Sequence, residues 1–474
     1  MPLTTTYLNG RLALLEGLYG PERQAELEAV LRLYNRVLGP VTSVSLHRPE
    51  ILDLSMYSST CGHSPIGFLV RDLLVKPRGN ETQPIPGGGK GGGIQQAFLG
   101  ALGEMAERLL AVLHFQACLD QIVYASYEDL VHQGRRALGP EELPLFAAEQ
   151  YADPRLGYVA FRPDLPLGWI EGSDLLTGEA ILLPAQLMLM YYTPRPGEPS
   201  IGYATSGGLA FHSDRRRAIL HGLYEFIERD AINLRWYCRL APPRVEVDLV
   251  SVLARHLGLR QPRMSTPVVD GVRIYLNTVD VSIPVLTAIA VDSSRREHAF
   301  LGGGGAWSRR ERALTQALFE VGQSRNALKV YQPTATKQIR ADSAALEMTD
   351  FFDAAIYYGY AENLPRLSWY MAGEKVLPWE TVTTFHFSDE AEEYEVMLDW
   401  LAAMGLTPIV LDFSGACWPG VSVTKVFIPQ LTQACIPSHP YLGHTRYSDL
   451  PQRLGLVDRR LEFRDLNSDP VPFS

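Results

Sequence analysis

The 474-residue sequence contains few cysteines, no long hydrophobic segment and no excess of basic residues. Its five cysteines are widely spaced and form no C-x-x-C pair, which argues against disulfides and a zinc site and favours buried thiols in a reducing cytoplasm. No run of about 18 apolar residues occurs, and Arg11 and Glu16 interrupt the apolar stretch near the start, so neither a membrane span nor a signal peptide is predicted. A net charge of −10 argues against general nucleic-acid binding. These absences predict a cytoplasmic protein with no membrane or nucleic-acid partner.

Three segments share one pattern, in which a glycine-containing turn precedes a helix that carries acids or amides three residues apart. The segments are residues 87–110, where Lys90 lies among six glycines, residues 203–238, and residues 301–330, which contain four consecutive glycines. An arginine follows each pair. The paired positions and their arginines are Glu104, Glu107 and Arg108; Glu225, Glu228 and Arg229; and Glu320, Gln323 and Arg325.

Residues three apart on a helix project from the same side, so each pair forms one polar patch. Two carboxylates about 5 Å apart repel by roughly 3 kcal/mol at an effective dielectric constant of about 20, and a cation between them relieves that repulsion. Mg²⁺ and a neighbouring arginine such as Arg108 are both candidates. Glycine-rich turns let backbone N–H groups approach an anion, and arginines pair with phosphate oxygens. Solvated acidic faces and flexible glycine loops are the alternatives, and the recurrence favours a functional site.

The standard nucleotide-binding motifs do not fit these segments. Lys90 has Pro84 where a Walker A loop requires its first glycine, and Gly91 where the loop requires a hydroxyl. The glycines at 302–305 fail the G-x-G-x-x-G pattern, because Trp307 stands at the last glycine position. Neither a P-loop nor a dinucleotide fold is therefore predicted.

Taken together, the three segments resemble the YcaO family, whose ATP-dependent enzymes activate backbone amides of peptides. The family pattern runs GKG, S-A-L-x-E-x-x-E-R, S-N-G-x-A-x-G, E-x-x-E-R and E-x-x-Q-x-R. It corresponds, in the same order, to residues 89–91, 101–108, 206–208, 225–229 and 320–325. The resemblance extends over at least residues 60–430, and the order of its blocks makes it specific.

The resemblance implies a site for ATP and Mg²⁺, with four acids as metal ligands and a set of basic and polar residues that contact the nucleotide or order the metal shell. Three positions depart from the family pattern, since Gly100 replaces a serine, Ser213 an asparagine and Arg217 an acid. These departures affect nucleotide contacts and leave the acids intact. The metal set is Glu104, Glu107, Glu225 and Glu228. The nucleotide set is Lys90, Gly91, Ser206, Ser213, Arg229, Gln323 and Arg325.

The expected fold class is α+β, with Gly-rich loop-then-helix units whose acidic helices line an ATP/Mg cleft over mixed sheets. Alternating β-branched segments, among them residues 272–280, 284–293, 406–414 and 421–429, predict the strands. Residues 1–55 are predicted to form an N-terminal helical extension packed on the body, although VTSVSLHRPEI at 41–51 alternates like a strand. Residues 56–474 are predicted to form the catalytic domain with a proline-containing tail.

The last residues, RDLNSDPVPFS, contain Pro470 and Pro472, which favour an extended, polyproline-like tail. Cyclodehydratases of the YcaO family tend to end in a proline-rich tail that reaches the active site, and the azole-forming subunit of microcin-type synthetases ends similarly. The resemblance therefore implies a catalytic role for Pro470, Pro472 and Ser474, with the terminal carboxylate as a proton acceptor. A frayed terminus is the alternative.

The implied function is ATP-dependent cyclodehydration of a ribosomal precursor peptide, which converts Cys, Ser or Thr into thiazoline or oxazoline. A peptide thioamide synthetase with a partner protein, and a non-catalytic scaffold of a modification complex, stay open as alternatives. Few residues precede the first YcaO-like block, so we expect a separate leader-peptide-binding (E1-like) protein. A flavin-dependent azoline oxidase and a homodimer or larger complex are further expected partners.

Overall fold

A computed structural model describes residues 34, 41–47, 57–63, 87–190, 192–257, 271–292, 298–331, 338–373, 375–414 and 421–473. The strands within these residues are β1 (Val41–His47), β2 (Tyr57–His63), β3 (Gly87–Gly91), β4 (Val123–Ala125), β5 (Leu167–Asp174), β6 (Ala180–Pro184), β7 (Leu209–His212), β8 (Arg244–Glu246), β9 (Val272–Leu276), β10 (Val285–Val291), β11 (Phe300–Ala306), β12 (Val376–Pro378), β13 (Ile409–Asp412) and β14 (Ser422–Phe427). The helices are α1 (Ile94–Ala117), α2 (Tyr127–His132), α3 (Ala148–Tyr151), α4 (Ala185–Met188), α5 (Arg215–Tyr237), α6 (Leu249–Leu257), α7 (Arg310–Tyr331), α8 (Phe351–Gly359), α9 (Ser368–Met371), α10 (Glu390–Ala403) and α11 (Thr445–Arg453). No helix of the described segments is both long enough and apolar enough to cross a membrane.

The described strands form three sheets. The first has the order β1-β2-β3, the second β11-β10-β9-β8-β12, and the third β4-β5-β13-β14-β7 with β6 paired to β5. Neighbouring strands run antiparallel except β8 and β12, which are parallel. The predicted α+β class is confirmed, since strands and helices occur in blocks rather than in strict alternation.

Three long helices alternate with three strands around a common centre. Helix α1 packs on β3 and β7, α5 packs on β7 and β11, and α7 packs on β11 and β3. Each helix buries apolar residues against a sheet; in α1 the buried residues include Ala101, Leu102 and Met105. Ile94 is half exposed because it begins the helix. The acid pairs lie on these three helices and therefore converge.

The glycine-rich segments at 87–91 and 302–305 are strands, so the prediction that they form loops was wrong. A Cβ atom on Gly89 would overlap the backbone carbonyl of Ala97 in α1, and one on Gly305 would overlap that of Ala313 in α7. Glycine is required here because each helix lies directly on its strand, with no room for a side chain between them. The glycines thus set how closely the acidic helices approach the sheets.

The N-terminal region can be compared with its prediction only in part. The strand expected at 41–51 is present as Val41–His47, pairs with β2, and belongs to the sheet that supports α1. The helices expected between residues 11 and 38 lie outside the described residues, apart from residue 34. The division of the chain at residue 55 stays a prediction.

Candidate functional site

Each of the three long helices receives one hydrogen bond from the backbone of a preceding glycine. The acceptor is always the first residue of the acid or amide pair, and the glycine lies 16 or 17 residues before it. The three bonds run from Gly88 N–H to Glu104 Oε2 (2.6 Å), from Gly208 N–H to Glu225 Oε2 (3.1 Å) and from Gly304 N–H to Glu320 Oε2 (3.0 Å). The three units are therefore equivalent in structure, although their sequences are too different to identify as a repeat.

The second residue of each pair faces the strand of the next unit. This closes the arrangement into a ring, which we call the acidic ring: residues 104, 107, 225, 228, 320 and 323. A Cβ atom on Gly304 would lie 2.6 Å from Glu228 Oε1, and one on Gly88 would overlap the Gln323 amide, so glycine leaves the space that these side chains occupy. The contacts are Glu107 to the Phe211 backbone of β7, Glu228 to Gly304 of β11, and Gln323 to Gly88 of β3.

Two basic residues pair with the acidic ring. Lys90 Nζ lies 2.6 Å from Glu320 Oε1, and Arg108 lies 2.5 Å from Glu104 Oε1. The Arg108 pair is the alternative that the sequence left open as a partner for the first acid pair. Both pairs join partly exposed side chains, so ligand phosphate oxygens could compete for the two cations.

Arg229 extends from α5 into the acidic ring without a complete set of partners. Its Nε is buried and has no hydrogen-bond partner among the described residues, and it lies 4.0 Å from Glu225 Oε1. A buried guanidinium nitrogen without an acceptor is costly unless something else supplies one. A phosphate oxygen would satisfy this donor.

The pKa values of the buried acids are raised because the protein alone does not compensate their charge. Burial, followed by the charge of Glu320, raises the pKa of Glu228 to about 8. Burial raises the pKa of Glu107 well above its usual value and also raises that of Glu225. A divalent cation beside these carboxylates would favour their ionised forms.

The residues of the acidic ring fit Mg²⁺ with a nucleotide rather than a metal held by protein alone. Within the described part of the chain, no three His, Cys, Asp or Glu side chains are grouped closely enough to hold a metal ion. Mg²⁺ in nucleotide sites usually takes one or two carboxylates and completes its shell with water and phosphate oxygens. The carboxylates, together with the unpartnered Arg229 nitrogen, supply that kind of incomplete set.

The remaining nucleotide candidates lie in four different places: before β7, after β7, at the end of β3 and on α7. Ser206 is in the turn before β7, where its carbonyl accepts from Leu209 N–H at 2.8 Å, two residues before the Gly208 donor. Ser213 follows the other end of β7 and contacts His212 Nδ1 at 3.3 Å. Gly91 ends β3 and faces the Gln96 side chain. Their roles, like that of the half-buried Arg325 on α7, stay predictions.

Sequence reasoning did not assign two charged residues to the site. Glu320 completes the threefold pattern and could have been recognised from its position as the partner of Gln323. Lys425 is buried in β14, where its Nζ donates to the Thr205 carbonyl at 2.5 Å. The only signal for Lys425 in the sequence is a lysine within an otherwise apolar and β-branched strand.

The arginine triplet 215–217 is an ion-paired helix start. Arg215 pairs with Asp412 at 3.1 Å, Arg216 lies 3.9 Å from Glu395, and Arg217 pairs with Glu390. All three are exposed to solvent. Their positive charge is therefore balanced by ion pairs on a solvent-exposed helix start.

The C-terminal segment is ordered against the body as far as residue 473, and Ser474 lies outside the described residues. Tyr358 Oη donates to the Pro470 carbonyl at 2.7 Å, and Trp236 Nε1 donates to the Asp469 carbonyl at 2.8 Å. Pro470, Pro472 and Phe473 are buried. The frayed-terminus alternative therefore does not describe residues 467–473.

The end of this segment lies close to the acidic ring. The Phe473 ring would be 2.9 Å from a Cβ atom on Gly302, which is two residues before Gly304 on β11. Alternate residues of a strand share one face and are about 7 Å apart, so Phe473 lies beside the strand position that contacts Glu228. The structure thus brings Phe473 close to the strand position beside Glu228, although the two residues are more than 200 residues apart in sequence.

Solved structures that share this fold include the following three. A heterocyclase in complex with substrate and cofactor superposes with a TM-score of 0.73 at 21% identity, over 94% of this chain and 57% of that chain. YcaO from Methanopyrus kandleri, bound with AMPPCP and Mg²⁺, gives 0.58 at 19% identity over 87% and 89%. The Escherichia coli microcin synthetase McbBCD complex gives 0.54 at 15% identity over 93% and 98%.

Sequence comparison identifies the family. A protein of Methanothermobacter thermautotrophicus is 29% identical over 269 residues, which is 56% of this chain and 65% of that protein. The chain thus spans less than two thirds of this relative and of the heterocyclase. The family profile described as "YcaO cyclodehydratase, ATP-ad Mg2+-binding" matches residues 88–432 and confirms ATP and Mg²⁺ as the expected ligands. With most of its length matched, and with the acidic helices and the hydrogen-bonding glycines Gly88, Gly208 and Gly304 inside the match, the chain belongs to the YcaO family.

Proposed function

We propose that this chain is an ATP-dependent cyclodehydratase that acts on a ribosomal precursor peptide. A Cys thiol, or a Ser or Thr hydroxyl, adds to the carbon of the preceding backbone amide. The amide oxygen accepts the γ-phosphoryl group of ATP and leaves as phosphate, so the products are a thiazoline or oxazoline ring, ADP and phosphate. The observation that carries the proposal is the acidic ring, with three helices, matched glycine donors and an unpartnered buried arginine nitrogen around one centre.

The residues in and around the acidic ring divide by charge into two groups. Glu104, Glu107, Glu225 and Glu228 would hold Mg²⁺, which supplies positive charge for the triphosphate. Lys90, Ser206, Arg229, Gln323 and Arg325 would contact phosphate or sugar oxygens. Phosphoryl transfer depends mainly on positioning and charge stabilisation, and rigid helices on close-packed glycine strands suit that requirement.

The tail favours cyclodehydration over the other activities open to the family. Pro470 and Pro472 restrict the backbone, and Phe473 packs beside Gly302. The segment therefore loses little further conformational entropy when it acts at the acidic ring. We propose that residues 470–474 position the peptide amide or assist the proton transfer that ring closure requires. Neither role is needed for ATP binding.

The partners follow from the substrate. A leader-peptide-binding (E1-like) protein would raise the effective concentration of the core peptide at the site, because binding energy from a remote leader can position a reacting amide. A flavin-dependent azoline oxidase would consume the product, and assembly as a homodimer or complex subunit is compatible with this scheme.

The proposal is tested by incubating the full chain with MgATP, its leader-binding partner and a candidate precursor peptide encoded beside its gene. We expect each ring to remove one water from the peptide mass, together with release of ADP and phosphate. Glu228→Gln serves as the matched control, because it keeps the shape of the side chain and removes the charge.

The other possible outcomes separate the alternatives. Exchange of one oxygen for sulfur in the peptide would identify a thioamide synthetase. Absence of MgATP binding and turnover in the wild-type chain would identify a non-catalytic scaffold and would refute the proposal.

A further inference from the structure

Lys425 is a buried cation that the acidic ring does not include. Its side chain is 3% exposed, and β14 lies between β13 and β7 in the sheet. Its ammonium group donates to the Thr205 carbonyl at 2.5 Å, and no second acceptor is found among the described residues. An ammonium group has three N–H donors, and burying one with so few partners is unfavourable.

The turn that Lys425 holds is the one that supplies the second glycine donor. Within residues 205–208, Thr205 Oγ1 accepts from Gly207 N–H at 3.2 Å, and Gly208 N–H donates to Glu225 at 3.1 Å. The Gly208 carbonyl accepts from Val426 N–H at 2.8 Å, so the turn is attached to β14 at two successive residues. Lys425 therefore fixes one end of the turn while Val426 fixes the other.

The charge of Lys425 also acts on the acidic ring. Burial lowers the pKa of Lys425 to about 8, and the negative charge of Glu225 opposes that change. Lys425 in turn affects Glu225: its positive charge is among the groups that lower the pKa of Glu225, against the effect of burial. The nearby strand residues Val423, Val426 and Phe427 are apolar and buried. An apolar side chain at position 425 would therefore suit these surroundings better than lysine does.

We infer that Lys425 is a positioning residue for nucleotide binding. It holds the 205–208 turn so that Ser206 and the Gly208 N–H group face the site, and it compensates part of the Glu225 charge. The inference rests on the proposed function. A cation retained at a buried strand position, where an apolar side chain would cost less, is expected when function requires it.

The test compares Lys425→Met and Thr424→Val in the full chain. Methionine fills the space of the lysine stem without the charge or the donor, so we expect the affinity for MgATP, measured by calorimetry, to fall by about 10- to 100-fold. The KM for ATP should rise more than kcat falls, and the thermal unfolding midpoint should not be lower than that of the wild type. Thr424→Val is the matched control. It changes the adjacent residue by removing a buried hydroxyl that has no hydrogen-bond partner among the described residues. Its affinity for MgATP should be unchanged.

A third variant and the wild type complete the design. Lys425→Gln keeps a donor for the Thr205 carbonyl without the charge, so its affinity should lie between those of the wild type and Lys425→Met. A Lys425→Met protein that binds MgATP normally, or that fails to fold, would overturn the inference. A wild-type chain that does not bind MgATP would instead refute the proposed function.

Discussion

Phe473 offers a direct way to separate the tail from the nucleotide site. Its side chain is 3% exposed and packs against Gly302, with its ring centroid 5.5 Å from that of Tyr370. Removing a fully buried phenylalanine side chain costs about 2 kcal/mol of transfer free energy, so Phe473→Ala should shift the equilibrium between docked and undocked tail about 30-fold toward the undocked form. The acidic ring makes none of these contacts, so its affinity for MgATP should be unchanged.

Graded variants make the prediction quantitative. Tyr358→Phe removes the donor to the Pro470 carbonyl and should weaken docking by about 1 kcal/mol, or about fivefold. Deleting residues 470–474 removes the contacts of the tail with Tyr358 and Gly302, and ring formation should then fall by about 10²- to 10⁴-fold, the usual contribution of a positioned proton-transfer group. The predicted order of severity is the deletion, then Phe473→Ala, then Tyr358→Phe.

The assay follows loss of water from the precursor peptide by mass spectrometry, beside calorimetric MgATP binding by the same preparations. Thermal unfolding of each variant serves as the control for global destabilisation. If the deletion variant forms rings at the wild-type rate, the docked tail has only a packing role and the cyclodehydratase proposal loses its main support.

Three further predictions concern the body of the protein. Glu228→Gln should reduce phosphate release by orders of magnitude; because the folded-state pKa of Glu228 is raised from 4.5 to about 8, the stability of the wild type relative to this variant should fall as pH rises across that interval in urea unfolding. Burial lowers the pKa of His221 from 6.5 to about 3, so its contribution is fully present above pH 6.5 and is lost as pH falls; this effect has the opposite sign to that of Glu228, and the free energy of unfolding of the wild type relative to His221→Gln should decrease by about 2 kcal/mol between pH 7 and pH 5. Gly89→Ala should destabilise the fold by about 1–3 kcal/mol because the added methyl group overlaps α1, whereas Gly93→Ala, which has open space, should not; equal urea midpoints for the two variants would contradict the packing argument.

The long helices could be predicted closely because their signal is local. The segment 87–110 predicted a helix after its glycines, which the structure gives as Ile94–Ala117, and the acids at i and i+3 lie on it as expected. The β-branched segments at 272–280 and 284–293 likewise became β9 and β10. Side-chain periodicity is dictated by the geometry of one element, so it survives whatever the rest of the chain does.

The glycine segments were misinterpreted because their composition is compatible with two opposite structures. Glycine suits a flexible loop, and it also suits a strand on which a helix lies in direct contact. Only the distance between Gly89 and the backbone of α1 distinguishes them, and that distance depends on packing between separate elements.

The sequence by itself determined the residue types of the site and their spacing, and through them the family: acids three apart, the glycines before them and the arginines after them. Tertiary structure alone decided that the three units close into a ring, through contacts such as that between Glu228 and the Gly304 strand position. It also decided that Lys425 reaches the 205–208 turn and that Phe473 docks beside Gly302. The physical reason is range: helix periodicity and capping act within a few residues, whereas these contacts join groups at least 76 residues apart, whose meeting is set by the burial of the whole core.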